Sequence, residues 1–174
     1  MNNKFRKVVN IRVDQDKRYF RKSRISKDEI KYLLLKEYQI AKYKNILTNK
    51  IETFFLKPRH NESLTHFFIT KNIAEFLKKN KIEVKLYVTV KPDIVFQIKG
   101  KKYAIEIETG SAFTKVKNLK EKVKLLNENY DWWFFVVTKR KFVKKFKQFG
   151  DSVDKRYVKL RLNKLIKLAE KTQR

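Results

Sequence analysis

Lys91-Pro92-Asp93-Ile94-Val95-Phe96-Gln97-Ile98-Lys99-Gly100-Lys101-Lys102-Tyr103-Ala104-Ile105-Glu106-Ile107-Glu108 is the stretch on which the reading of this chain turns. Ile94 to Ile98 predicts a strand, Lys99-Gly100-Lys101 a tight turn, and Tyr103 to Glu108 an antiparallel return. Side chains on a strand alternate between faces, so Glu106 and Glu108 share one face while Ile105 and Ile107 point to the other, toward a helix. The turn brings the start of the first strand beside the end of the second, which places Asp93 near both glutamates. Three carboxylates at one end of an apolar hairpin repel one another and raise at least one pKa unless something compensates them. A divalent cation would do so, because Mg²⁺ takes hard oxygen ligands and combines one or two carboxylates with water and phosphate. A solvent-facing strand surface is the plainer alternative for Glu106 and Glu108.

Outward from the hairpin, the periodicity alternates between helix and strand. Glu62 to Lys79 predicts a helix with Glu62, His66, Ile69, Ile73, Phe76 and Leu77 on one stripe. Ile82, Val84, Leu86, Val88 and Val90 alternate as a strand, ended by Pro92. Beyond the hairpin, Gly110-Ser111 closes the strand, and Ala112 to Asn129 predicts a helix with Val116, Leu119, Val123 and Leu126 inside. Trp132 to Thr138 is a continuous apolar run, the pattern of a strand buried on both faces. The order α, β, β, β, α, β is an α/β sandwich. Farther on, Lys139 to Phe149 predicts a short basic helix anchored by Phe142, Phe146 and Phe149. Gly150 to Arg156 reads as loop, Tyr157 to Leu160 as a last strand, and Leu162 to Lys171 as a terminal helix.

Upstream, Val8, Val9, Ile11 and Val13 partly alternate as a short strand within a basic arm. Ser26 and Glu29 form a capping-box pattern that opens a helix, with one break allowed, running to about Leu47. Its setting would suit a small helix-turn-helix, although a packing helix is the simpler reading. The turn at Pro58 to Asn61 divides the chain into a basic arm and helix (1–60) and an α/β core with basic C-terminal helices (61–174).

Composition bounds the function. Of 174 residues, 45 are Lys or Arg and 18 are Asp or Glu, a formal net charge of +27. Residues 1–60 carry 17 basic and 6 acidic side chains, and residues 139–174 carry 14 and 3, so the two flanks hold most of the excess. Such a field favours polyanions, because neutralised phosphates release their counterions. A lysine-rich bias of the genome is the alternative source of the charge. The chain has no cysteine, which removes disulfides, thiolate metal sites and thiol nucleophiles, and leaves oxygen ligands or His60 and His66 for any metal. Its three glycines, Gly100, Gly110 and Gly150, are too far apart for a nucleotide-binding loop. No apolar run reaches the length of a membrane span and the N-terminus lacks the apolar stretch of a signal peptide, so a soluble, cytoplasmic protein without membrane contact is expected.

Pro92-Asp93, a gap of twelve residues, then Glu106-Ile107-Glu108, on a hairpin between two helices, resembles the signature of the PD-(D/E)XK nuclease superfamily. The resemblance covers about residues 62–138 and implies a restriction-endonuclease-like fold and Mg²⁺- or Mn²⁺-dependent cleavage of phosphodiester bonds. It assigns metal binding to Asp93 and Glu106. It also implies DNA rather than RNA as partner, and homodimers, since many members pair. Glu108 stands where the superfamily usually has lysine, as in E-x-E versions, and would serve as general base or further ligand. A lysine of the following helix, Lys117, Lys120 or Lys124, would then supply the missing cation and contact the nucleic acid. Members often place a glutamate on the first helix, a position that Glu62 occupies, with His66 one turn on; a helix-terminal core histidine is the alternative for His66. A shorter similarity, through Leu64 to Asn72, Pro92-Asp93 and Glu106 to Gly110, links the chain to nuclease-fold domains of replication-relaxation proteins of mobile elements, many of them predicted inactive. A non-catalytic nucleic-acid-binding protein with a nuclease fold is therefore the second expectation, and an RNA-binding or ribosome-associated basic protein the third.

Overall fold

The computed structural model describes residues 11–14, 16–87 and 91–171. It is a mixed α/β structure with two sheets. The first sheet has the order β1-β3-β2, from β1 (Tyr19–Arg21), β2 (Gln39–Lys44) and β3 (Ile51–Leu56), all antiparallel, with α1 (Lys27–Leu35) inserted after β1. Next comes α2 (Leu64–Lys79), followed by a five-stranded sheet with strands in chain order: β4 (Val84–Leu86), β5 (Ile94–Ile98), β6 (Lys101–Glu108), β7 (Trp132–Val137) and β8 (Ser152–Asp154). Strands β4, β5 and β6 pair antiparallel, whereas β6, β7 and β8 run parallel. Parallel neighbours need a crossover, and these are α3 (Val116–Asn129) between β6 and β7 and α4 (Val143–Phe146) between β7 and β8. The last element is α5 (Val158–Lys171).

The larger sheet is covered on both faces. Ile105, Ile107, Phe134 and Val136 pack with Ile73 and Leu77 of α2 and Leu162 and Leu165 of α5. On the opposite face, Ala104, Phe135 and Val137 meet Leu119 and Leu126 of α3 and Phe146 of α4. Strand β7 is therefore buried on both sides, as its unbroken apolar run predicts. The core runs on across the Pro58–Asn61 turn, since Tyr19, Phe54 and Leu56 of the small sheet join the α2 cluster.

The order α2, β4, β5, β6, α3, β7 matches the expected α, β, β, β, α, β. The expected cap forms, Ser26 and Glu29 making the reciprocal capping box of α1; Ser63, not singled out in the sequence, caps α2 by accepting the His66 N–H through Oγ at 3.2 Å, so this helix starts at Leu64 rather than Glu62. Leu33 of α1 packs with Phe20, Tyr38 and Phe55, so α1 is a packing helix.

Four expectations need correction. The helix expected up to Leu47 stops at Leu35, because Glu37 takes a positive φ of 63° and the chain turns back as β2. Pairing with β3 satisfies the backbone there and stacks Tyr43 on Phe68 at 4.3 Å, outweighing propensity differences of a few tenths of a kcal/mol per residue. The strand expected at Tyr157–Leu160 lies instead at Ser152–Asp154, beside β7. Val158, Leu162 and Leu165 are buried at i, i+4, i+7 spacing, so that segment is helical. The basic helix expected over Lys139–Phe149 is a 3-10 turn (Arg140–Phe142) followed by the four residues of α4. Val116, expected inside α3, is 40% exposed, since the helix proper begins there after a separate 3-10 turn, Ser111–Thr114. The expected strand residues Val8, Val9, Val88 and Val90 lie outside the described residues.

Candidate active site

Strand register sets the site. Ile94 faces Ile105 across the β5–β6 ladder, so Asp93, one residue earlier, stands opposite Glu106. Asp93 anchors itself to the neighbouring strand by accepting the Ile107 N–H through Oδ2 at 2.8 Å. Glu106 and Glu108 share their sheet face with Ala104, on the α3 side, while Ile105 and Ile107 are in the α2 core. Both glutamates are buried, Glu106 at 2% exposure and Glu108 at 7%. That excludes the solvent-facing alternative for them. Unpaired carboxylates at such depth would cost several kcal/mol each, so partners are required.

The partner is Lys122. Its Nζ lies 2.9 Å from Glu106 Oε2 and 3.8 Å from Glu108 Oε1. Lys117, Lys120 and Lys124, the expected substitutes for the missing motif lysine, are all exposed on α3, and Lys124 pairs with Glu128 at 3.9 Å. The expectation that one of these three supplies the cation to the carboxylates is corrected to Lys122. The signal was present in the spacing. Lys122 is three residues after Leu119 and four before Leu126, the two buried leucines of α3, so it lies on the stripe that faces the sheet. The aliphatic stem of a lysine can cross such a stripe while its ammonium reaches a polar end. Gly110, two residues after Glu108, turns the chain from β6 toward α3 with φ of 100°, and a Cβ there would collide with the Phe142 ring.

From the other side of the sheet come His66, in the first turn of α2, and Glu62, which was expected on this helix but precedes its Ser63 cap. His66 Nδ1 is 3.0 Å from Glu62 Oε1, and its Nε2 is 3.2 Å from Asp93 Oδ1. Burial works against a charged ring, but hydrogen bonds to Asp93 and Glu62 outweigh it and carry the His66 pKa up to about 10. Both ring nitrogens then donate, and the imidazolium clamps Asp93 to the first turn of α2. Glu62 and His66 thus meet beside Asp93, although Glu62 does so from the turn before the helix rather than from a helical stripe.

Burial pushes the Glu106 carboxyl up to about 8; Lys122 opposes the shift, while Asp93 and Glu108 add to it. Burial raises Glu108 as well, against the pull of Lys122. Lys122 is itself raised, because its carboxylate neighbours outweigh burial. Glu106 Oε1 is buried with no hydrogen-bond partner. Once ionised, an unpartnered carboxylate oxygen opposite Asp93 is the kind of donor a hard cation would use. Among the described residues, no group of three or more His, Cys, Asp and Glu side chains is arranged to hold a metal ion. Asp93 and Glu106 are the two carboxylates that could take part in holding a cation, with water and phosphate to complete its shell. No family model, curated protein or solved structure matches the chain.

Proposed function

We propose that the chain is a metal-dependent deoxyribonuclease with a PD-(D/E)XK-type, restriction-endonuclease-like core. The observation that carries this reading is the meeting of Asp93, Glu106 and Glu108 with Lys122 at one end of the β5–β6 hairpin. The element order from α2 to β7 and the net charge of +27 support it. Asp93 and Glu106 would hold Mg²⁺ or Mn²⁺, and the bound ion would supply positive charge to the scissile phosphate and acidify a water. His66, fixed by Glu62, keeps Asp93 oriented and offsets its charge. Lys122 does what the motif lysine does elsewhere: its ammonium stands among the carboxylates, ready to stabilise negative charge on the phosphate. Glu108, raised in pKa and close to Lys122, is the base that accepts a proton from water.

Incubation with plasmid, single-stranded and branched DNA in Mg²⁺, Mn²⁺ or EDTA tests the reading. Metal-dependent cleavage that disappears in Glu106→Ala is expected. No cleavage on any substrate with either metal would overturn it. One observation favours a second reading, a non-catalytic nucleic-acid-binding protein: Glu106 has a cationic partner from the protein itself, Lys122 at 2.9 Å. On that reading DNA binding weakens steeply with salt but survives alanine at Asp93, Glu106 and Glu108.

A further inference from the structure

A second feature opens at the same end of the large sheet. A cleft of about 290 Å³ lies between β2 and its following loop, α2, and the first residues of α5. Its floor is apolar, with Tyr43 stacked on Phe68 at 4.3 Å and an interplanar angle of 12°. Around this floor stand five cations: Lys42 and Lys44 from β2, Lys155 and Arg156 from the 3-10 turn before α5, and Lys159 from the start of α5. Among the described residues that line it, none is acidic. Arg156 is held by Asp154 through contacts of 2.8 and 2.9 Å, and Lys159 donates to the Leu47 carbonyl at 3.2 Å, which leaves its charge uncompensated.

The cleft adjoins the carboxylates along two routes. Thr65, in its wall, accepts or donates a hydrogen bond with Tyr43 at 3.1 Å and is the neighbour of His66, which holds Asp93. Across the sheet, Glu108 is in register with Val137, and Val137 with Asp154, so Asp154 lies two strand spacings, about 10 Å, from Glu108. An apolar floor with a cationic rim matches a nucleobase with its phosphate. A base within a duplex is stacked and paired and cannot enter a walled cleft of this size without being extruded.

We propose that this cleft takes an unpaired nucleotide, its base on the Tyr43–Phe68 floor and its phosphate on the lysine rim, in a strand whose backbone continues to the carboxylate cluster. The substrate is then single-stranded or locally opened DNA. The binding half stands on the cleft alone; the link to cleavage rests on the nuclease reading.

Fluorescence anisotropy in EDTA at about 0.1 M salt separates the two. The probes are a labelled oligothymidylate and a duplex of equal length. The cleft variant is Lys44→Glu/Ile51→Glu, both exposed positions at the cleft, with Lys155→Glu as a second variant. Lys78→Glu/Lys79→Glu, on the far end of α2, controls for lost net charge. Single strands are expected to bind more tightly than duplex, and the cleft variants to lose about ten-fold or more of single-strand affinity, with the control losing about three-fold or less. Equal losses in cleft and control variants, or duplex binding as tight as single-strand binding, would overturn the proposal. Cleft-dependent binding without any Mg²⁺- or Mn²⁺-supported cleavage would uphold the cleft and remove the nuclease reading.

Discussion

Helix α2 reaches into two buried polar clusters, one from its middle and one from its first turn. In the middle, Asn72 is 1% exposed and Asn45 is fully buried. Asn72 Oδ1 accepts the Ile46 N–H at 2.9 Å, its Nδ2 donates to Asn45 Oδ1 at 3.1 Å, and Asn45 Oδ1 also accepts the Leu47 N–H at 2.9 Å. Asn45 Nδ2 completes the set with Glu52 at 3.0 Å. Each amide group is used, and the cluster pins the loop after β2. At the first turn, His66, Asp93, Glu106, Glu108 and Lys122 hold an excess of carboxylate, an oxygen without a partner, and pKa values displaced upward on both acids and bases. Buried polar groups that are satisfied specify structure; a cluster left short of a partner, with perturbed pKa values, is instead a candidate for chemistry.

The largest effect should come from Lys122. Lys122→Met is expected to reduce cleavage by about 10²–10³-fold, measured as plasmid nicking in Mg²⁺, because the only cation contacting Glu106 among the described residues is gone. Restored nicking in that variant would show that the ammonium is structural. The corresponding cut in the other cluster, Asn72→Leu, should cost about 2–4 kcal/mol in urea unfolding. A loss of nicking without a loss of stability would erase the contrast between the clusters.

Titration sharpens it further. Glu106 ionises at about 8 when folded against an ordinary carboxylate value when unfolded, so the folded state binds the extra proton in that window. Its stabilising contribution is complete below about pH 4.5 and is lost as the pH rises through 8. Glu106→Gln should remove this slope and be about 1–3 kcal/mol more stable at pH 8.5 in metal-free buffer, read from denaturant midpoints at pH 5 and 8.5. An unchanged slope would mean that Glu106 is not the strained carboxyl.

The smallest effect is expected at His66, whose folded pKa is raised to about 10. Its stabilisation is present below the ordinary histidine value, persists at neutral pH, and fades as the pH climbs toward 10. His66→Gln should therefore cost about 1–2 kcal/mol at pH 7 and progressively less between pH 8 and 10. A constant difference over that range would assign His66 a packing role alone.

The hairpin was legible from residues 91–108, because strict alternation about a Lys99-Gly100 turn leaves one register in which the isoleucines are buried. That register alone brings Asp93 opposite Glu106. The apolar run of β7 and the capped start of α1 were legible for similar reasons, each being a local pattern with one low-energy outcome. Strands β2 and β3 were not, since neither forms without the other, and their pairing partner is chosen by the aromatic core of Tyr19, Phe54 and Phe68 rather than by any local period. Lys122 is the intermediate case. Helical spacing from Leu119 and Leu126 turns it toward the sheet, but only the packing of α3 over β6 decides that an ammonium on that stripe ends 2.9 Å from a buried carboxylate. Local sequence sets which way a side chain points; the arrangement of elements sets what it meets, because the energy of a buried charge lies in its partner.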